Sequence, residues 1–405
     1  MRFLIAFFVF LLSAVPTWAT ASPSPIRIGD IASYTGWASY TEPYRKGWQL
    51  AIKEINQEGG VLGRPLEVVS RDDHGRPGDT NLLVQELTDD KDVSVIMGSI
   101  AGHVTMALSQ ECLKHRIACL APYANADRLL WEDGHPYIFR LMPSLTAIGR
   151  ILVDRIKNSP RKRWAIVAPQ YIFGQNLVSS FHEEIKRLRP DIEIVSEQWV
   201  PLNKIQAGAV INALSAARPE GILLCLVNAD LSPFVREGIK RHAFENVQVV
   251  SYTLAREDSG ELYDIFPKGW IGFSYDPEHL ANLSTQHKAF VEAYRHEYGE
   301  YPQDAAARGY SLIKIMEAAL KKAGSAEREA VKNALTGLTF ETPFGTSSFR
   351  RLDNQATMGM WLGEVAKDDQ GKTFMINSTY ITGDSYWPRP DDKLPARLET
   401  NQPPH

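Results

Sequence analysis

Cysteine is scarce. There are three in 405 residues and no C-x-x-C pair, which excludes a disulfide-dense scaffold and a paired-cysteine zinc or dithiol centre. A basic excess is also missing: Lys+Arg 44 against Asp+Glu 48 leaves a net charge of -4, which argues against a dedicated nucleic-acid surface. Catalytic and cofactor signatures are absent too. The chain has no G-x-S-x-G elbow, Walker loop, G-x-G-x-x-G or H-E-x-x-H, and its ten histidines include no i, i+4 pair. These absences leave no reason to expect a metal, a cofactor or an enzyme. Glycine (28) and proline (24) are near average, so collagen-like and wholly disordered chains are excluded as well.

Long apolar runs are confined to the start. Residues 1–21, MRFLIAFFVFLLSAVPTWATA, place Arg2 before an apolar stretch from Phe3 to Val15 and end in Ala19-Thr20-Ala21, the small-x-small pattern of signal-peptide cleavage. The run is shorter than the ~20 residues of a membrane span. The expectation is an exported, soluble chain cleaved near Ala21. In an oxidising compartment Cys112 and Cys119, in CLKHRIAC, could pair. Sequence gives no Cα separation, and two buried thiols are the reading preferred here. Cys225, inside GILLCLV, reads as core packing.

The remainder alternates apolar strands with amphipathic helices. IRIGDI (26–31), LEVVS (66–70), VSVIM (93–97), IACLA (117–121) and WAIVA (164–168) read as buried strands. So do IEIVSEQWV (192–200), GILLCLV (221–227), VQVVS (247–251) and GWIGF (269–273). Between them, 44–58, 174–188 and 309–323 carry apolar residues at helical spacing. Continuous apolar strands separated by such helices mean parallel sheet covered on both faces. The alternation pauses at 133–146, and further crossings are expected near 270–277 and 345–355. The fold class is therefore α/β, with two doubly wound parallel-sheet lobes. Lobe I takes 22–143 plus 272–348, lobe II takes 144–271 plus 349–385, and the proline-rich 386–405 reads as a loose tail.

Ligands in open α/β sheets bind beyond the C-terminal strand ends. Three such ends carry suitable groups. The first is followed by Tyr34, Trp37, Tyr40 and Tyr44. The third opens into MGSIAGHVTMAL, where Gly98 to His103 form a small-residue loop before a helix beginning near Val104. A helix N-terminus with uncovered N–H groups suits an anion. The fourth is followed by LAPYANADRLL, with Tyr123 and Asn125. Asp72-Asp73-His74 also follows a strand and is the one cluster that could serve an enzyme. Asp79 is a helix-cap candidate beside it, and His182-Glu183-Glu184 and His296-Glu297 read as solvated helix faces.

IRIGDIASYTGWASYTEPYRKGWQLAIKEINQEGGVLGRPLEVVSRDD resembles the N-terminus of the branched-chain-amino-acid-type, type I periplasmic binding proteins of ABC importers. IMGSIAGHVT, LAPYANADRLL and HEYGEYPQDAAARGYSLIKIMEAALKKAG continue the resemblance in the family's order, over nearly all of 25–385. It implies two lobes joined by a three-strand hinge, a small-molecule ligand enclosed in the cleft, and a membrane permease as partner, with the chain a monomer. By position, Tyr40 matches an aromatic covering the ligand. Gly102, beside His103, matches the carboxylate-holding helix N-terminus, and Tyr123 and Asn125 match grips on the ligand's polar head. Phe173, Val227 and Asn228 match the facing wall.

One departure matters. Thr253 stands where amino-acid binders place an acidic residue for the ammonium. An unpaired buried ammonium costs roughly 3–5 kcal/mol, so either Glu257, Asp230 or Asp276 substitutes or the ligand is not an α-amino acid. The expected ligand is a small organic acid or amide with an aromatic or apolar body. A ligand sensor signalling to a regulator is the other function compatible with the resemblance.

Overall fold

The computed structural model describes residues 23–256 and 260–394. β1 (Ile26–Ala32), β2 (Leu66–Asp72), β3 (Val95–Gly98), β4 (Cys119–Ala121) and β5 (Ile138–Arg140) form a sheet ordered β2-β1-β3-β4-β5, with every pairing parallel. α1 (Ala38–Gln57) covers one face, and α2 (Pro77–Asp89) and α3 (Gly102–Lys114) cover the other. The chain then enters α4 (Leu145–Ile156), whose N-terminus is capped by the Ser144 side chain accepting from the Ala147 N–H.

A second alternation follows: β6 (Arg163–Pro169), α5 (Ile172–Leu188), β7 (Glu193–Val200), α6 (Ala207–Ala217), β8 (Gly221–Leu224), α7 (Leu231–Lys240), β9 (Gln248–Ser251) and β10 (Ile271–Phe273). Helices α8 (Thr285–Tyr298), α9 (Asp304–Ala323) and α10 (Arg328–Leu335) come next, then the hairpin β11 (Thr339–Thr342) and β12 (Gly345–Ser348). Strands β13 (Gly359–Lys367) and β14 (Thr373–Thr382) complete the second sheet, ordered β14-β13-β10-β9-β8-β6-β7.

Two of these strands depart from the all-parallel reading. β13 runs antiparallel to β10 and to β14. They follow one another through a short turn, which can join only antiparallel neighbours. The segment read as a pause contains β5, too short to carry a period.

The later helices pack back on the first sheet. α9 crosses α1 where a Cβ on Gly47 would lie 2.0 Å from the Ala306 carbonyl oxygen and one on Gly309 would lie 2.2 Å from that of Tyr44. Only glycine permits that approach. The passages between sheets are tied by Arg140, fully buried, whose Nε donates to Gln355 Oε1 at 2.7 Å while the Gln355 amide donates to the Met142 carbonyl at 2.9 Å.

Three further expectations are corrected. Cys112 and Cys119 are disulfide-bonded, with Cα atoms 6.2 Å apart. α3 ends at Lys114, and a tight turn returns the chain to β4 alongside it. Cys225 is free and buried, as packing predicts. The segment from Tyr386 to Leu394 is not loose. Trp387 is buried, its ring edge-on to Trp131 at 5.9 Å, and Arg389 and Asp392 are ion-paired with Glu184 and Arg150. Proline content misleads here because the segment is held by side chains rather than by a periodic backbone. Glu184 is buried rather than solvated, bonded by both Arg187 and Arg389. His182 and Glu297 keep exposed pairings, with Glu197 and Lys53.

Candidate functional site

A cavity of about 490 Å³ opens where the C-terminal strand ends of the two sheets face each other. The first sheet supplies three groups. Trp37 and Tyr40 come from the start of α1, Ala101 to His103 from the start of α3, and Tyr123 to Ala126 from the loop after β4. The second sheet supplies Tyr171 and Phe173 after β6, Val227 after β8 and Tyr252 after β9. Arg128 stands at the rim, its Nε donating to Asp133 at 2.5 Å.

The rings form two connected groups. Tyr40 meets Tyr123 edge-on at 5.6 Å, and Trp37 lies 6.3 Å from Tyr40. Opposite them, Phe173 meets Tyr252 edge-on at 4.7 Å and stacks with Tyr171 at 5.8 Å. Such pairs add about 0.5–1.5 kcal/mol each beyond area burial and fix the ring orientation. A hydrogen bond spans the cleft, from the Asn125 amide to the Tyr252 hydroxyl at 2.9 Å.

The polar pole is the start of α3. Val104 and Thr105 donate their N–H groups to the Ala101 carbonyl, so the two preceding amides, at exposed Gly102 and His103, stand ahead of the helical ladder. Among the described residues no aspartate or glutamate lines this cavity. Gly98 makes the turn possible: at φ 132° a Cβ there would lie 1.8 Å from the Ile31 carbonyl oxygen.

Seven of the nine sequence-derived residues line the cavity: Tyr40, Gly102, His103, Tyr123, Asn125, Phe173 and Val227. Two of them sit differently from their reading. α1 begins at Ala38 rather than near Tyr44, so Tyr40 belongs to its first turn and not to a loop. α3 begins at Gly102 rather than near Val104. Pro43 disguised the first start, since proline usually marks an initial turn. Thr253 lines a smaller cavity of about 70 Å³ that shares Tyr40, Tyr123 and Tyr252 with the larger one. Asn228 opens the short turn Asn228–Asp230 after Val227.

Tyr34 and Tyr44 turn away from the cleft. Both hydroxyls donate to Asp30, at 2.6 and 3.1 Å, and Ser70 donates at 2.6 Å. Burial pushes the Asp30 carboxyl up to about 6 despite these bonds. Asp72-Asp73-His74 is a loop clamp. Asp73 is buried and accepts from Ser33, Ser99 and the Gly75 N–H, while His74 is paired with Asp79, inside the first turn of α2. Two of the three carboxylates considered for an ammonium are engaged elsewhere. Asp230 accepts the Asn203 and Ile205 N–H groups, Asp276 accepts that of Met375, and Glu257 lies outside the described residues. Sequence reasoning passed over Tyr171, Tyr252 and Arg128, although the first two follow strands directly and carried that signal.

Residues 25–372 match the model of a family described as periplasmic binding protein. The chain belongs to the periplasmic binding protein family. A relative from Brucella abortus, a Leu/Ile/Val-binding protein homolog, is 24% identical over 82% of this chain and 85% of its own length. Among solved structures, an amino acid ABC transporter substrate-binding protein from Pseudomonas fluorescens Pf-5 superposes with a TM-score of 0.79 at 23% identity, covering 89% of this chain and 98% of its own. A solute-binding protein of an ABC transporter from Rhodopseudomonas palustris BisB5, in complex with 3,4-dihydroxybenzoic acid, superposes at 0.76 with 24% identity, covering 89% and 98%. These likenesses fix the type I, two-lobe fold. Family membership places the chain among binding proteins.

Proposed function

We propose that this periplasmic binding protein captures a small organic acid with an aromatic or apolar body and delivers it, unaltered, to a membrane permease. The observation that carries this reading is the composition of the large cavity. Six rings surround a polar pole made of the α3 N-terminus, His103 and Arg128, with no carboxylate among the described lining residues. A carboxylate is held there by backbone N–H groups and the helix dipole. Among the described residues of the large cavity, an ammonium bound beside that carboxylate would find no counterion, at a cost of roughly 3–5 kcal/mol. The aromatic acid bound by the Rhodopseudomonas neighbour has the same chemistry.

The lobes divide near the expected boundaries, 22–143 with 274–348 and 144–273 with 349–385, the one shift keeping Gly272 and Phe273 of β10 with the second sheet, and close on the ligand as a two-state hinge. With 1–21 as a cleaved leader, the mature chain works in the periplasm as a monomer. Calorimetric titration with benzoate and with leucine tests the reading, supported by mass analysis of any co-purified molecule. Benzoate-type acids binding well ahead of leucine is the expected result. Tight leucine binding, lost in Glu257→Gln, overturns the ligand assignment.

A further inference from the structure

The smaller cavity borders the larger one at Tyr40, Tyr123 and Tyr252, so it opens behind the rings and away from the α3 pole. At about 70 Å³ it is too small for a second ligand and large enough for one substituent of a first; a water molecule takes about 30 Å³ of liquid. Its walls are mostly rings and apolar side chains, with Met142, Phe273, Met360 and Trp361 beside four tyrosines, and Asp304 is the one carboxylate among the described lining residues.

Asp304 is the uncommon element. It begins α9, and its side chain is 21% exposed, against 0% for Arg308 one turn on. Arg308 donates to it twice, from Nε at 2.6 Å and from Nη2 at 3.3 Å. The guanidinium occupies one side of the carboxylate. An ionised carboxylate offers about four lone-pair sites, so acceptor capacity remains toward the cavity. The hydroxyl of Tyr275, another lining residue, is already engaged with His287 at 2.6 Å. The pocket therefore offers a carboxylate acceptor in a small, ring-walled enclosure, where a matched donor is favoured over an apolar substituent that leaves the acceptor without one.

We propose that the small cavity is a specificity subsite in which Asp304 accepts a hydrogen bond from a donor, a hydroxyl or amino group, on the end of the ligand opposite its carboxylate. This rests on the organic-acid reading of the large cavity. The ligand class narrows to ring acids bearing a distal donor.

The test is a calorimetric series on the unmodified protein with benzoate, 4-methylbenzoate, 3- and 4-hydroxybenzoate and 4-aminobenzoate, repeated with Asp304→Asn. The expected result is a preference of about tenfold or more for a donor-bearing acid over 4-methylbenzoate, shrinking severalfold in the variant. A preference for the amino over the hydroxyl acid, or the reverse, identifies the donor. Equal binding of methyl and donor acids by the unmodified protein overturns the subsite while leaving the organic-acid reading intact. So does a preference unchanged in Asp304→Asn, because a purely structural Asp304 alters all five acids alike. If the variant fails to fold, the unmodified series still decides. If none of the five acids binds, the organic-acid reading fails and the subsite with it.

Discussion

The cleft and the waist, where Tyr386 to Asp392 join the core of the first sheet to α4 and α5, are built from opposite materials. In the cleft, rings meet edge-on, backbone amides face a cavity, and the described lining carries no carboxylate. At the waist, charge is matched by charge. Arg150 grips Asp392 with two bonds of 2.6 and 2.7 Å, Glu184 takes two from Arg389 at 2.8 Å, and Arg350 bonds both Asp353 and the Trp387 carbonyl. Trp387 packs on Trp131 of the first sheet's core, while Arg150 and Glu184 belong to α4 and α5 of the second. The difference is instructive. A surface that must exchange water for a ligand keeps polar capacity in reserve, whereas a surface that must hold position saturates it internally.

The sharpest way to break this comparison is at Trp387. Trp387→Ala should cost about 3–5 kcal/mol of stability, as large-to-small changes in buried sites do. The melting temperature should fall while ligand affinity shifts by less than about 0.5 kcal/mol. A large affinity loss would mean that the waist also sets the cleft. Next come Tyr40→Ala and Asn125→Ala. Each should weaken binding by about 1–3 kcal/mol with the ligand-free protein still folded; unchanged affinity in both would remove the cleft assignment.

Cys112→Ser, which probes neither region, should cost about 2 kcal/mol for the opened loop. Thiol titration of the denatured, unreduced wild type should find one thiol, that of Cys225.

The smallest effect is in pH dependence, and it has two signs. Burial works to raise the Glu184 carboxyl, but the guanidinium groups of Arg389 and Arg187 win and bring it from 4.5 down to about 2. Its stabilisation is present above about pH 4.5 and is lost as pH falls toward 2. Asp30 is raised from 3.8 to about 6, so its charged form is the unfavourable one, and stability rises as pH falls from 6 toward 4. Melting curves should therefore pass through an optimum. Asp30→Asn should flatten its upper limb and Glu184→Gln its lower limb.

Much of the cleft was legible because ligand groups in this architecture follow strands directly. Strand ends are visible as apolar runs meeting small or aromatic residues, which located Tyr40, Gly102, Tyr123 and Asn125; Phe173 came only with the family resemblance. Tyr34 and Tyr44 gave the same signal and were misplaced, since pattern does not say that Asp30 lies beneath them. The helix starts at Ala38 and Gly102 were blurred by Pro43 and by glycine, residues whose usual position is a boundary. The waist was invisible. Glu184 and Arg389 are 205 positions apart, and nothing in either neighbourhood announces the other.

The sequence by itself determined the α/β alternation, the strand ends that make the cleft and the family to which the chain belongs. All three are carried by periods of two to four residues and by short motifs. Only the tertiary structure decided that Tyr386 to Leu394 straps the waist, that Cys112 meets Cys119, and that Asp304 backs onto the cleft beside Arg308. These depend on where distant segments come to rest, and burial there rewards a partner that local pattern cannot name.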